Sequence, residues 1–300
     1  MNAILILSDG RMGHVNQSIA LAKYLRLPYD IVEVTFKNKV CKLLSKVLSY
    51  VFDRTGMYTS VLFRVEVSKV YPLVIGTGST TYYPTKVLAK KMQAKSITMM
   101  LPKGYRLDFD TMFAQNHDTP PRQKNIIEIP ANFAYVEPMG IYTASKKSIG
   151  IIIGGDNKVF HLSVEELKKQ LDFIKTYYEG YEFAITTSPR TSDAVEKLVE
   201  SYHFDYEVIF SKNAINPIAD FLEQCETVCI TGDSTSMISE AISYGEANVI
   251  VLPLKSTQKN KFVSFIDTLA KEGYLHIFDG TIKNKSKKID FTQYSKQMKI

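Results

Sequence analysis

The side chains best able to do chemistry fall in a few short stretches. One is SDGRMGHVNQS, which holds Asp9, Gly10, Arg11, Gly13, His14, Asn16 and Gln17. An imidazole titrates near neutral pH and can take a proton from a hydroxyl, so His14 is the candidate base. Gly10 and Gly13 let the backbone turn sharply or approach a ligand closely. His117, between Asn116 and Asp118, is the reserve acid or base. Both histidines also fit an ordinary role, hydrogen-bonded to a neighbouring loop.

Another stretch is TGDSTSMISEA, with Gly232, Ser234, Thr235, Ser236 and Glu240. A small polar loop opening a helix presents backbone N–H groups and the positive end of the helix dipole to one point, a place for a phosphate. A carboxylate one turn into that helix can accept two hydroxyls of an adjacent sugar, as acidic residues do for ribose in dinucleotide sites. The chemistry indicated is a nucleoside diphosphate with Glu240 on its ribose. Asp233 opposes a phosphate unless it caps the helix or pairs with a cation. TTSPRTS adds Thr187 and Arg190, whose guanidinium suits two-pronged contact with a diphosphate. The same residues also suit a proline turn with Ser192 as a helix cap.

Apolar runs at 3–7, 30–36, 73–75, 96–101 and 111–115, then at 148–153, 181–185, 228–231 and 248–252, read as the strands that must position these residues. Nearly every polar stretch begins where such a run gives way to helical spacing, as at Ile19, Leu21, Ala22 and Leu25, or in the helix expected over 237–244. Gly76, Gly78, Gly154 and Gly155 follow strand ends. Ser163 with Glu166 forms a capping box, and Pro217 after Asn216 suits a first helical turn. The alternation predicts an α/β protein of two Rossmann-like domains with mostly parallel sheets, facing each other across a cleft that is the default site. Residues 133–147 read as the linker, giving domains 1–140 and 141–300.

A chain of 300 residues with 45% hydrophobic content can bury a core in each domain. The net charge of +6 is mild and gathers in a tail, 283–299, that reads as a solvated end, so no nucleic-acid partner is expected. Cys41, Cys225 and Cys229 show neither metal-ligand spacing nor a disulfide framework, which predicts a reducing compartment. The start lacks signal-peptide features, and no run reaches the roughly 18 apolar residues of a spanning helix, so a cytosolic location is expected. No aspartate pair suggests a divalent ion, and no metal or cofactor is expected. Residues 39–67 interleave apolar residues with Lys39, Lys42, Lys46, Arg54 and Arg64. They read either as helices packed on the sheet or as an amphipathic surface against a membrane or lipid-linked acceptor, and exposure decides between them.

DGRMGHVNQS, NHD at 116–118, GGDN at 154–157, TTSPRT at 186–191, NPIADFL at 216–222 and TGDSTSMISEA at 231–241 resemble, in order along nearly the whole chain, the motifs of the mitochondrial-fission "elongated mitochondria" family. Its bacterial members are predicted nucleotide-sugar enzymes. The family is similar in turn to the GT-B glycosyltransferases, including the peptidoglycan enzyme that adds N-acetylglucosamine to a lipid-linked acceptor. The resemblance implies that the second domain binds a nucleotide sugar. Glu240 would hold the ribose, Ser234, Thr235 and Ser236 would meet the diphosphate and Arg190 would neutralise it, with Gly154, Gly155, Thr187, Asn216 and Gly232 on the same side. The glycine loop with His14 would face the acceptor. The chain departs from the family pattern at Met12, where a proline is usual, and at Pro189, where a second arginine is usual. The implied function is metal-independent glycosyl transfer to an unassigned acceptor, lipid-linked or of the cell envelope. A nucleotide-sugar epimerase of the same fold and a non-catalytic adaptor, the role of the plant relatives, are the alternatives.

Overall fold

The computed structural model of the chain describes residues 3–51, 59–256, 260–283 and 285–298. It divides into two compact units, Met1–Tyr135 with Asp290–Ile300, and Val136–Ile289. The division falls inside the stretch read as a linker. The last segment belongs to the first unit rather than the second, because Phe291 is fully buried there, stacked on Phe133 with ring centroids 4.5 Å apart.

The first unit runs β1 (Ile4–Ser8), α1 (Met12–Leu25), β2 (Tyr29–Glu33), β3 (Thr35–Phe36), α2 (Lys39–Val51), β4 (Phe63–Arg64), β5 (Leu73–Gly76), α3 (Tyr82–Met92), β6 (Lys95–Thr98), β7 (Thr111–Gln115) and β8 (Ile126–Ile129). Its main sheet is parallel in the order β2-β1-β5-β6-β7-β8. The aliphatic run of β1 is buried throughout, as a central parallel strand covered on both faces requires. Gly10, at φ +78°, makes the turn after β1, so α1 starts at Met12 and carries His14, Asn16 and Gln17 on its first turns instead of in a loop. The run 30–36 divides, since Thr35–Phe36 leaves the main sheet to pair antiparallel with β4.

Among the described residues of 39–67 the one α-helix is α2; Arg54 lies outside the described residues, and Ser60–Leu62 is a short 3-10 turn leading into β4. Helix α2 buries Ser45 and Ser49. Its apolar stripe of Val40, Leu43, Leu44, Val47 and Val51, spaced as one helical face, points to solvent, with exposures from 42% at Leu44 to 71% at Val40. The apolar face is therefore not the one packed on the sheet. No helix among the described residues is long and apolar enough to cross a membrane.

The second unit runs β9 (Ser148–Ile152), β10 (Phe160–His161), α4 (Val164–Tyr177), β11 (Glu182–Thr186), α5 (Asp193–Glu200), β12 (Tyr206–Val208), α6 (Ile218–Gln224), β13 (Thr227–Thr231), α7 (Thr235–Ala241), β14 (Asn248–Leu252), β15 (Lys255–Ser256), α8 (Lys261–Glu272) and β16 (His276–Ile277). Its main sheet is parallel in the order β12-β11-β9-β13-β14-β16. Ser163 and Ser192 cap α4 and α5 by accepting the N–H of Glu166 and Val195, as expected. Asp220 on α6 takes the N–H groups of Met139, Gly140, Ile141 and Tyr142 at 2.7 to 3.2 Å, tying the start of the unit to its core. Burial raises the pKa of this acid, but the four donors outweigh it and hold the carboxyl below the usual range.

The basic tail is held by backbone contacts rather than frayed, while Lys283, Lys285 and Lys287 remain exposed. Ser286 accepts the Val249 N–H, the Lys287 N–H donates to the Gly273 carbonyl, and Lys288 Nζ reaches the Ala241 carbonyl at 2.7 Å. A lysine can bury its stem and still bring its charge to a helix C-terminus, here that of α7. Burial lowers the Lys288 pKa to about 8.

Candidate functional site

Open parallel sheets bind ligands at the carboxyl ends of their strands, where connections diverge to either side. In the first unit that point lies between β1 and β5, and in the second between β9 and β13. Asp9 and His14 lie at the first point, and Gly154, Gly155 and Asp233 at the second.

At the first point, His14 Nδ1 lies 3.0 Å from Asp9 Oδ2 and 3.2 Å from Oδ1. A carboxylate can only accept, so Nδ1 donates, and in the neutral ring Nε2 is the nitrogen that carries the lone pair. Gly78, just after β5 with φ +93°, makes room for the pair, because a Cβ there would run into the His14 ring. Gln17 is buried and donates to the Gly13 carbonyl, while Gln115 donates to Gln17 Oε1 and to the Met99 carbonyl. Asp9, His14 and Gln17 are thus built in, whereas Gly10, Arg11, Gly13 and Asn16 stand exposed around them. His117 sits in a 3-10 turn after β7, and the carboxylate of its neighbour Asp118 is engaged by Lys103 Nζ at 2.7 Å.

Lys42 is a functional candidate that reading the motifs missed. Its Nζ reaches in from α2 to Thr80 Oγ1 at 2.9 Å, and burial followed by the Arg11 charge lowers its pKa. The signal was present in the helical spacing, since an outward stripe at 40, 43, 44 and 47 leaves 42, 45, 46 and 49 on the opposite side.

At the second point the central group is Asp233. Its side chain has no exposed surface and accepts from Thr231 Oγ1 at 2.7 Å, the Gly155 N–H at 3.2 Å and Arg190 Nη2 at 2.5 Å. Burial pushes its carboxyl above the usual range, against those donors. Asp233 therefore pairs with a cation and does not cap the helix; Ser234 is the cap, accepting the Met237 N–H. Gly154 and Gly155 are required as glycines, because a Cβ would strike Asp233 at one and the Arg190 backbone at the other. Arg190 is 45% exposed, which leaves its other donors open to a ligand.

Glu240 lies on the far turn of α7. Burial pushes its carboxyl up to about 7, and it has no hydrogen bond or ion pair among the described residues. Three expected donor-side residues are otherwise occupied: Thr187 donates to Glu196 and accepts the Phe210 N–H, Asn216 Oδ1 accepts the Ile218 N–H at the start of α6, and the Gly232 N–H continues the ladder to Leu252. Thr235 and Ser236 open α7 beside Ser234. No group of three or more His, Cys, Asp or Glu side chains able to hold a metal occurs among the described residues.

The sequence profile described as mitochondrial fission ELM1 matches residues 12–295. The chain belongs to that family. It is 25% identical over 330 aligned positions to an uncharacterized protein, RP120, of Rickettsia prowazekii, covering 93% of this chain and 91% of the relative. Among solved structures it is similar to MurG of Acinetobacter baumannii, with TM-score 0.51, 11% identity, and 95% and 87% of the two chains covered. It is also similar to S. aureus MnaA solved with UDP, with TM-score 0.52, 13% identity, and 99% and 86% covered. These likenesses show the GT-B type of fold, two Rossmann-like units each built on a parallel sheet.

An acid whose folded pKa stands above its ordinary value binds its proton more tightly when folded, so it lowers stability as pH rises. For Glu240 that loss develops between the ordinary 4.5 and about 7. Thermal unfolding of the unliganded protein should give similar midpoints for native and Glu240→Gln near pH ~4, and a higher midpoint for the variant at about pH 8. Equal midpoints at both would contradict the burial assigned to this carboxylate.

Proposed function

We propose that the protein transfers a sugar from a nucleoside-diphosphate sugar, held by the second unit, to an acceptor hydroxyl at the His14–Asp9 pair of the first. The observation that carries this reading is Glu240 on the last turn of α7, a partly buried carboxylate with no side-chain partner among the described residues. A ribose diol supplies the two hydroxyl donors it lacks. Arg190, fixed by Asp233, offers its remaining N–H groups to the diphosphate. UDP in the MnaA structure, a relative in fold, makes uridine diphosphate the first nucleotide to try.

In this reading the bond from the anomeric carbon to the diphosphate oxygen breaks through an oxocarbenium-like state as the bond to the acceptor oxygen forms. Negative charge growing on the leaving diphosphate meets Arg190 and the first-turn N–H groups of α7, and preorganised donors of this kind contribute roughly 3–4 kcal/mol each. His14 Nε2 receives the acceptor proton while Asp9 holds the ring and stabilises the resulting imidazolium. The step needs no metal.

Uridine diphosphate at ~100 times its dissociation constant should stabilise the native chain by about 2.7 kcal/mol, a rise of several degrees in the midpoint. The rise should persist in His14→Ala and vanish in Glu240→Ala. If no nucleoside diphosphate raises the native midpoint at millimolar concentration, the donor site does not exist.

The outward stripe of α2 supports a lipid-linked acceptor and contact with a membrane surface. Lys37, Lys39 and Arg64 are exposed around it, and basic residues flanking an apolar helix face draw it to anionic headgroups. The native chain should float with phosphatidylglycerol vesicles at low salt, and the double variant Leu43→Glu, Val47→Glu should not. Flotation unaffected by the substitutions would remove α2 from that role.

A further inference from the structure

We infer that Lys42 and Arg11 form an anion-recognition subsite beside the His14–Asp9 pair, which takes a phosphate or diphosphate group carried by the acceptor. The inference rests on reading the first unit as the acceptor side. Its basis is a convergence of charge that the fold itself does not use. Lys42 Nζ comes from α2 to Thr80 Oγ1 at 2.9 Å, two residues past the Gly78 that lies against the His14 ring and Asp9, and Arg11 opens α1 with its N–H on Asp9 Oδ1 at 3.3 Å. The Lys42 ammonium accordingly feels Arg11 and Lys46 as like charges and Asp9 as the opposing one. Asp9 is committed to His14 at 3.0 Å. None of Arg11, Lys42 and Lys46 has an ion-pair partner among the described residues.

The hydrogen bond from Lys42 to Thr80 satisfies one N–H with a neutral hydroxyl, which compensates neither for the partial burial of an ammonium nor for a second cation beside it. If fixing α2 were the purpose, an uncharged side chain would serve at lower cost. Helix α1 adds to the excess, since its first turn carries no acidic residue and Arg11 provides no side-chain cap. An anion on the acceptor neutralises this field. It also brings the neighbouring hydroxyl within reach of His14 Nε2, the only ring nitrogen that Asp9 leaves open.

The test follows acetylation of individual lysines in the full native chain by peptide mass spectrometry, with exposed Lys197 as internal reference. In the first arm, inorganic pyrophosphate is compared with chloride at equal ionic strength. Lys42 labelling should slow by about fivefold when pyrophosphate stands at ~4 times its dissociation constant, with Lys197 unchanged. Arg11→Gln should lose the protection. In the second arm, phosphatidylcholine vesicles carrying phosphatidic acid replace pyrophosphate. Protection at lower phosphate concentration there assigns the anion to a lipid headgroup, and protection by pyrophosphate alone assigns it to a soluble phosphate. An unchanged Lys42 rate in both arms overturns the inference. Nucleotide binding through Glu240 is scored separately by thermal unfolding, so either reading can fail without the other.

Discussion

A carboxylate with no exposed side-chain surface must find all its partners inside the protein, and Asp233 finds them on three different connections. It holds the Gly155 N–H after β9, the Arg190 guanidinium after β11 and the Thr231 hydroxyl at the end of β13. Thr231 passes the connection on by accepting the Gly154 N–H at 2.7 Å. Removing the Arg190 guanidinium leaves the buried Asp233 charge without its cation. The glycines follow from the same constraint, since only a residue without Cβ fits against the Asp233 carboxylate or the Arg190 backbone. With Asp233 turned inward, Ser234 is left to cap α7 while Lys288 holds its other end, and Glu240 is positioned between the two.

The two acids of this region show what separates scaffold from site. Both are desolvated and both have raised pKa values, yet Asp233 has three donors and Glu240 has none among the described residues. The Glu240 carboxylate is only partly buried and keeps its acceptors open, and in the proposed reading a bound diol would fill them. The first unit repeats the contrast, with the Asp9–His14 pair satisfied and Lys42 held near like charges.

The fold was largely legible in the sequence because parallel strands are buried on both faces and therefore read as apolar runs ending in small polar residues. Such runs fixed β7 and β14 residue for residue. The short runs of β8, β12 and β16 offered no period to detect. Within the site, composition could not tell a loop hydroxyl aimed at a ligand from one that holds a loop. Thr187, Asn216 and Gly232 look the same in sequence whether they bind or brace, and the structure uses all three as braces. The inward side of Asp233, the clamp at Asp220 and the helix cap at Lys288 depend on partners more than forty residues away, beyond the reach of any local pattern.

The central claim is that Glu240 reads a ribose, and a double comparison by calorimetry tests it most directly. Uridine diphosphate and its 2′-deoxy analogue would each be titrated into the native protein and into Glu240→Gln. A hydrogen bond to a charged group contributes about 1.5–3 kcal/mol, so the native chain should bind the deoxy analogue roughly 10- to 100-fold more weakly. The variant should bind both nucleotides within a small factor of each other. Equal affinities for the native chain, or undiminished discrimination by the variant, would contradict the account.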